Sequence, residues 1–259
     1  MTSPAYNTAE LVTVMSARAL EDGKIYFVGA GIPLIAAILA QRTRCPGLTI
    51  LFEGGVIGPF VEPGKLPPST NEQRCARKAN MVLAITDVLL LLQRGYVDYG
   101  FLGGAQVDQY GNLNSSIIGE VARPKVRLPG TGGANDIASL CKVIIAMHHE
   151  KRRFVERVDF VTSPGYLDGG ESRVKAGLIT GSVHQVITHL AILGFHPQSR
   201  RMQIEALHPG ATAKEVQERT GFELLVPAKL PTTEPPTAEE LRILRDLDPE
   251  KRYISAREE

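Results

Sequence analysis

Residues 24–55, KIYFVGAGIPLIAAILAQRTRCPGLTILFEGG, decide the fold. KIYFVGAG is a short apolar run that ends in a glycine turn. IPLIAAILAQR is long enough and apolar enough for a buried helix, and LTILFE is a second apolar run. Strand, helix and strand in this order form a parallel crossover unit. The second strand stops on a single carboxylate, Glu53, and the chain then drops into Gly54 and Gly55.

Outward from this unit the same alternation continues. Upstream, TAELVTVMSARALEDG places Leu11, Val14, Met15 and Ala19 at a helical period, with Thr8 as N-cap and Gly23 beyond the end. Downstream, PFVEPGKLPPSTNEQR (59–74) is a Pro-rich, charged loop, and a loop of that length is more often functional than idle. MVLAITDVLLLLQRG predicts a helix ending at Gly95, and VDYGFLGG a strand ending in Gly103 and Gly104. The polar passage DQYGNLNSSIIGEVARPKVRLPGTGGAND leads to KVIIAMHH and RVDFVTS as further strands. SVHQVITHLAIL and RMQIEAL close the strand set. TAKEVQERTG, with Thr212 and Glu215 at capping-box spacing, and TAEELRILRDL are helices. No internal repeat is evident. The expectation is one α/β domain over residues 1–259, an open, mostly parallel sheet flanked by helices. It carries a Pro-rich surface segment at 227–236 and a C-terminal helix and tail at 237–259.

Composition narrows the function classes. The chain has 259 residues, 43% apolar and 22% charged, enough to bury a full core. Its 29 basic and 28 acidic residues leave a net charge of +1 without a long run of one sign, which argues against nucleic-acid or membrane-surface partners. Cys45, Cys75 and Cys141 are odd in number and lack CxxC spacing, so neither a disulfide framework nor a zinc knuckle is expected, and a reducing cytoplasm is. The stretch MTSPAYNTAELV has no basic region followed by an apolar one, so no signal peptide is expected, and no apolar run is long enough for a membrane span.

The turn VGAGIPL must be weighed as a dinucleotide site, because it follows a strand, opens a helix, and is followed by an acidic strand end at Glu53. That pattern needs a third Gly or Ala where this chain has Leu34. A phosphate-binding P-loop fails as well, since EPGKLPPS has Leu66 after Gly64 and Lys65. The strand-end carboxylate is the more informative feature. Open α/β sheets hold ligands beyond the carboxyl ends of their strands, and Gly54 and Gly55 let backbone amides approach a bound group closely. A glutamate with an ordinary pKa of about 4.3 is ionised at neutral pH and needs no general base to attack an acyl carbonyl. Capping a helix or pairing with an arginine is the commoner fate of a lone glutamate.

Six ordered segments bear on that choice: VGAGIPLIAAILAQR, FEGG, FLGGAQVDQYGNLNSSIIG, GTGGANDIA, MHHEKRRFVERVDFVTSPGYLDG and HPGATAKEVQERTGFEL. Together they make residues 24–226 resemble the class I CoA-transferases, nearest to the beta (B-type) chain of glutaconate CoA-transferase. The resemblance implies that Glu53 is a covalent nucleophile that passes through a glutamyl-CoA thioester. In that family it stands in a Glu-Ser-Gly or Glu-Asn-Gly context, where this chain has Gly54. Transfer of CoA between an acyl-CoA and a small (di)carboxylic acid needs no ATP and no permanently bound cofactor. Coenzyme A enters as substrate.

The resemblance also implies that Gly132, Gly133, Ala134 and Asn135, with Gly103 and Gly104, line the oxyanion and CoA side. Gly54, Gly31, Ile32, Asn112 and Asn114 would lie at the substrate pocket. Ser115 is a further polar candidate, Tyr110 a core residue, and Lys151, Arg152 and Arg153 are candidates for a CoA phosphate. In HHEKRR (148–153) the adjacent His148 and His149 cannot share a helical face, so no metal is expected, and a solvated basic strand end is the simpler reading. A separate alpha (A-type) chain is implied as partner, in a heterotetramer or larger assembly. Hydrolysis, ring cleavage or decarboxylation of CoA thioesters on the same scaffold is the alternative, and a non-catalytic CoA-binding role the second.

Overall fold

A computed structural model describes residues 5–255. Residues 1–4 and 256–259, the outer ends of the N-terminal stretch and of the C-terminal tail, lie outside the described residues. The chain forms two compact units, one of residues 1–101 with 235–259 and one of residues 102–234.

The first unit opens with α1 (Thr8–Arg18). Its N-cap is Asn7 and not Thr8: the Asn7 side chain accepts the Glu10 N–H at 2.9 Å, and the Glu10 carboxylate accepts the Asn7 N–H at 2.9 Å. This reciprocal pair satisfies two amides that the helix start leaves open. The crossover follows as expected: β1 (Ile25–Val28), α2 (Ile32–Thr43) and β2 (Thr49–Leu51). β1 and β2 are parallel, with Ile25 opposite Thr49 and Phe27 opposite Leu51. In α2 every residue from Leu34 to Ala40 is buried, so this part of the helix is covered on all sides, in keeping with its unbroken apolar run.

β2 then doubles back as β3 (Val56–Ile57), which pairs antiparallel with β4 (Met81–Val82). The helix expected from Met81 begins only at α3 (Ile85–Gln93), because Met81 and Val82 join the sheet and the Asp87 carboxylate accepts the Ala84 N–H at 3.3 Å. β5 (Tyr99–Leu102) lies parallel to β1 on its other side, and the Tyr26 and Tyr99 rings stack across the pair at 5.0 Å.

The second unit starts with two hairpins at and within the passage read as polar and turn-rich: β6 (Gln106–Val107) with β7 (Leu113–Asn114), and β8 (Ile117–Glu120) with β9 (Arg123–Arg127). After α4 (Ala134–Leu140) come β10 (Lys142–Ala146), the short α5 (Ser172–Lys175), and β11 (Ser182–Ile187) parallel to β10. β12 (Ala191–Phe195) and β13 (Met202–Leu207) extend this sheet antiparallel. SVHQVITHLAIL is thus two strands, turned at Thr188, whose hydroxyl accepts the N–H groups of Leu190 and Ala191 at 3.1 Å each.

RVDFVTS is not a strand. Its polar side chains are engaged elsewhere: Asp159 accepts the Gly119 N–H at 2.8 Å, and Thr162 Oγ1 accepts the Ser115 N–H at 2.9 Å. Thr212 caps α6 (Ala213–Glu218), but Glu215 pairs with Arg219 at 3.3 Å and does not return the capping bond. The α/β class stands: parallel strands flanked by helices, with antiparallel strands added in each unit.

After the Pro-rich segment the chain re-enters the first unit as α7 (Ala238–Leu247), capped by a reciprocal Thr237–Glu240 pair. Leu241, Leu244 and Leu247 are buried, and α7 is bound to α1 by Arg18–Glu240 and Arg245–Glu10 ion pairs, both at 2.7 Å.

The core of the second unit holds a neutral histidine cluster. His149 is fully buried, stacks on Phe154 at 3.9 Å, and lies between the hydroxyls of Thr220 (2.9 Å from Nε2) and Thr188 (3.2 Å from Nδ1). The Thr220 hydroxyl donates to the Val216 carbonyl at 2.7 Å, so it accepts from His149 Nε2–H and leaves Nδ1 as an acceptor. Burial drives His149 from 6.5 to about 3, and burial likewise takes His208 to about 4. Both folded values lie below the unfolded one, so the unfolded chain binds more protons between them. Stability is therefore complete above pH 6.5 and falls as pH drops toward 4. Each histidine is expected to cost about 2 kcal/mol by pH 5, read as a drop in unfolding free energy between pH 7.5 and 5 in denaturant titrations. A His208→Gln variant should show a shallower drop.

Candidate active site

Glu53 stands two residues beyond the end of β2, half-buried, at the corner of a closed turn. The Gly55 N–H donates to the Phe52 carbonyl at 3.0 Å and the Phe52 N–H donates to the Val56 carbonyl at 2.8 Å, so Glu53 and Gly54 are the two central residues. Phe52 itself is fully buried and anchors the turn. Because β1 and β2 are parallel and in register, Gly29–Gly31 after β1 and Glu53–Gly55 after β2 emerge at the same edge of the sheet. Gly31 (φ 91°) is the N-cap of α2, and a Cβ there would lie 3.5 Å from the Tyr253 ring, whose hydroxyl donates to the Pro67 carbonyl at 3.3 Å. Ile32, the first residue of α2, is half-buried, and Leu34 is fully buried. A large side chain thus fills the place where a dinucleotide site needs a small one.

The turn is clasped from two sides. Gly55 has φ 100°, and a Cβ there would lie 1.9 Å from the Leu83 carbonyl oxygen; the Leu83 N–H donates to the Gly55 carbonyl at 2.9 Å. A Cβ on Gly54 would lie 2.7 Å from Asn71 Oδ1 and 2.9 Å from the Thr70 carbonyl oxygen. The long loop therefore packs directly on the backbone that carries Glu53. Sequence reading marked the loop but missed Thr70, Asn71, Leu83 and Tyr253, because nothing local in the chain says which residue it touches.

In the second unit, GTGGAND forms a turn into α4. Gly130 (φ 91°) donates its N–H to the Ser115 carbonyl at 2.9 Å, Gly132 has φ 54° and is exposed, and the Ala134 N–H donates to the Thr131 carbonyl at 3.0 Å. Gly133 is the buried N-cap, and Asn135 donates its side-chain amide to the Thr162 carbonyl at 3.0 Å. Gly103 is exposed. Gly104 packs on the β6–β7 hairpin, where a Cβ would lie 3.0 Å from Leu113.

Asn112 and Asn114 have a different occupation from the one expected. Asn112 is buried, donates to Asp108 and to the Leu167 carbonyl, and accepts the N–H groups of Gly165 and Leu167. Asn114 is fully buried, donates to Gln106 and the Ile117 carbonyl, and accepts from Ser116 and Ile117. Their hydrogen-bonding groups are committed to the fold, which leaves nothing to orient a substrate carboxylate. Burial pushes the Asp108 carboxyl up against the hydrogen bonds from Asn112 and Tyr110 that hold it down. Tyr110, expected in the core, is half-buried.

HHEKRR is not a uniformly solvated end, since His149 is a core residue. Arg152 is exposed and bonds to Glu150, Lys151 is exposed, and Arg153 is half-buried and donates to the Gly104 carbonyl at 3.4 Å. Among the described residues no group of three His, Cys, Asp or Glu side chains could hold a metal ion, and no helix is long and apolar enough to cross a membrane.

A carboxylate set on a rigid turn at the carboxyl edge of a parallel strand pair fits acyl chemistry, and the chain belongs to the coenzyme A transferase family, which it matches over residues 9–219. It is 40% identical to the B-type chain of 3-oxoadipate CoA-transferase from Pseudomonas knackmussii over 246 residues, 94% of each chain. The crystal structure of glutaconate coenzyme A-transferase from Acidaminococcus fermentans superposes with a TM-score of 0.92 at 32% identity, covering 99% of this chain and 100% of that one. The decarboxylase AibA/AibB superposes with a TM-score of 0.80 at 25% identity, covering 95% and 96%. The resemblance read from the six sequence segments thus holds, and the enzyme is a CoA-transferase to which this chain contributes the B-type half.

Gly55→Ala tests the clasp. Holding alanine at this φ costs about 1–3 kcal/mol in the backbone alone, and the Leu83 carbonyl must move as well. The expected result is a lower thermal midpoint together with loss of activity in the two-subunit enzyme.

Proposed function

We propose that Glu53 is the covalent nucleophile of a transferase that moves CoA between an acyl-CoA and a small carboxylic acid. The observation that carries this reading is the setting of Glu53: a side chain on a turn whose backbone is fixed from both flanks by glycine contacts. Its carboxylate attacks the thioester carbonyl, the C–S bond breaks, and CoA leaves as the thiolate, giving a mixed anhydride. The thiolate then attacks the glutamyl carbonyl and expels the donor acid as its carboxylate, so that the enzyme holds a glutamyl-CoA thioester. An acceptor carboxylate reverses these steps. One thioester replaces another throughout, so no nucleotide is consumed. Contacts to the distant part of CoA supply the binding energy that brings the reacting groups together.

For the second unit the proposal is that the amides of Gly132, Gly133 and Ala134, with Asn135, Gly103 and Gly104, serve the thioester end of CoA. Dicarboxylic acyl groups are the proposed substrate class, supported by the likeness to the 3-oxoadipate and glutaconate enzymes. If water entered, the same glutamyl-CoA would hydrolyse, and free acid formed without an acceptor would report that outcome.

An A-type chain is the partner that a B-type chain requires, in a proposed heterotetramer or larger assembly. In the first unit Met81, Val82 and Ile85 are 51%, 59% and 47% exposed. They lie on β4 and at the start of α3, next to Leu83, which clasps the Glu53 turn. Apolar side chains this open are suited to burial against a protein. We place the partner there.

Three measurements test these readings. In the two-subunit complex, Glu53→Gln is expected to lower turnover at least about a thousandfold. In the unsubstituted complex, borohydride after incubation with acyl-CoA is expected to change the mass of the peptide spanning Glu53. Full turnover with an unmodified Glu53 would remove it as nucleophile. Ile85→Glu is expected to weaken association with the A-type chain about tenfold or more, measured by titration of the separated subunits, while leaving the fold of this chain intact by circular dichroism.

A further inference from the structure

The residue after the nucleophile has no side chain, and the space it would use is filled by another part of the chain. A Cβ on Gly54 would stand 2.7 Å from Asn71 Oδ1, 2.9 Å from the Thr70 carbonyl oxygen and 3.0 Å from the Asn71 Cα. Consecutive Cα atoms are about 3.8 Å apart, so the Asn71 carboxamide lies within one side chain's reach of Glu53. Its position is not left to a loose loop. Leu66 and Cys75, on either side of it, are buried, Tyr253 holds Pro67, and the Asn71 N–H donates to Ser69 Oγ at 3.2 Å. Asn71 itself is exposed, and among the described residues its carboxamide has no hydrogen-bond partner.

A side chain that is anchored through its backbone, with two amide hydrogens unspent, and placed beside the reacting carboxylate is equipped to bind the acyl group. We infer that Asn71 is a specificity-determining residue that hydrogen-bonds an oxo or carboxylate oxygen on the acyl chain, so that the enzyme prefers acyl-CoAs bearing such an oxygen over plain alkanoyl-CoAs. This rests on the reading of Glu53 as nucleophile. A direct amide–oxygen bond discriminates strongly, because the analogue lacking the oxygen leaves the buried amide unpaired once the acyl group has closed over it.

The test is kcat/KM of the two-subunit enzyme with succinyl-CoA and butyryl-CoA, which share a chain length, and acetate as common acceptor. The unsubstituted enzyme is expected to favour succinyl-CoA. Asn71→Ala should lower kcat/KM for succinyl-CoA about tenfold and leave butyryl-CoA within about twofold. Asn71→Asp should lower kcat/KM further for succinyl-CoA than for butyryl-CoA, because the new carboxylate repels Glu53 with either donor and the succinyl carboxylate in addition. Gly54→Ser, which must displace Asn71, should erode the same preference.

No preference in the unsubstituted enzyme, or an equal change for both donors in the Asn71 variants, overturns the inference. Glu53→Ala separates the two readings. If it is inactive while the Asn71 variants keep their donor ratio, only the role of Asn71 falls. If it retains transfer, the nucleophile reading falls first.

Discussion

Two missing Cβ atoms shape the candidate site. At Gly54 the backbone is in contact with Thr70 and Asn71, and at Gly55 with Leu83, at separations that no side chain could occupy. A carboxylate on an ordinary surface turn would sample many positions, and each would carry an entropic cost when a substrate has to meet it. Here the chain on both flanks of the turn fixes the backbone that carries Glu53. On the proposed reading of Glu53 as nucleophile, the attachment point is set before any acyl-CoA arrives, which is the part of transition-state organisation that a protein backbone supplies. β3, β4 and the long loop are all arranged around that contact.

Much of this was legible in residues 24–55. A strand, an apolar helix and a strand of adjacent length dictate a parallel pair, and a parallel pair dictates where the carboxylate emerges. Local chemistry failed at ends and in polar stretches. Asn7 displaced Thr8 as the cap of α1 because Glu10 is three residues from Asn7 and completes the reciprocal pair. RVDFVTS has strand composition, but Asp159 and Thr162 bond to the amides of Gly119 and Ser115, a partnership fixed only when the hairpins form. Asn112 and Asn114 looked like substrate ligands because polar turn residues and binding residues share a composition. Only the count of satisfied donors and acceptors separates them. Asn71 was invisible for the opposite reason, since its neighbour Gly54 is 17 positions away (71 − 54) and nothing in either segment encodes their contact.

The second unit carries its polar groups inward and satisfies them there. Asp108 with Asn112, Asn114 with Gln106, and His149 between Thr188 and Thr220 form buried hydrogen-bonded sets. Such sets hold irregular chain in one arrangement where ladder hydrogen bonds are short. The cost is a dependence on protonation state, because burial disfavours the charged imidazolium at His149.

The first unit is built from both ends of the described chain. Residues 1–101 lack the Arg245 partner of Glu10, the Glu240 partner of Arg18, the buried face of α7, and the Tyr253 ring that seats Gly31 and holds Pro67. Residues 102–234 are contiguous and leave the ribosome complete before those groups exist. During synthesis the unit that bears Glu53 is therefore the last to be finished. Until residue 253 has emerged, the unit that carries Glu53 lacks the Tyr253 ring that packs by Gly31 and bonds to the Pro67 carbonyl.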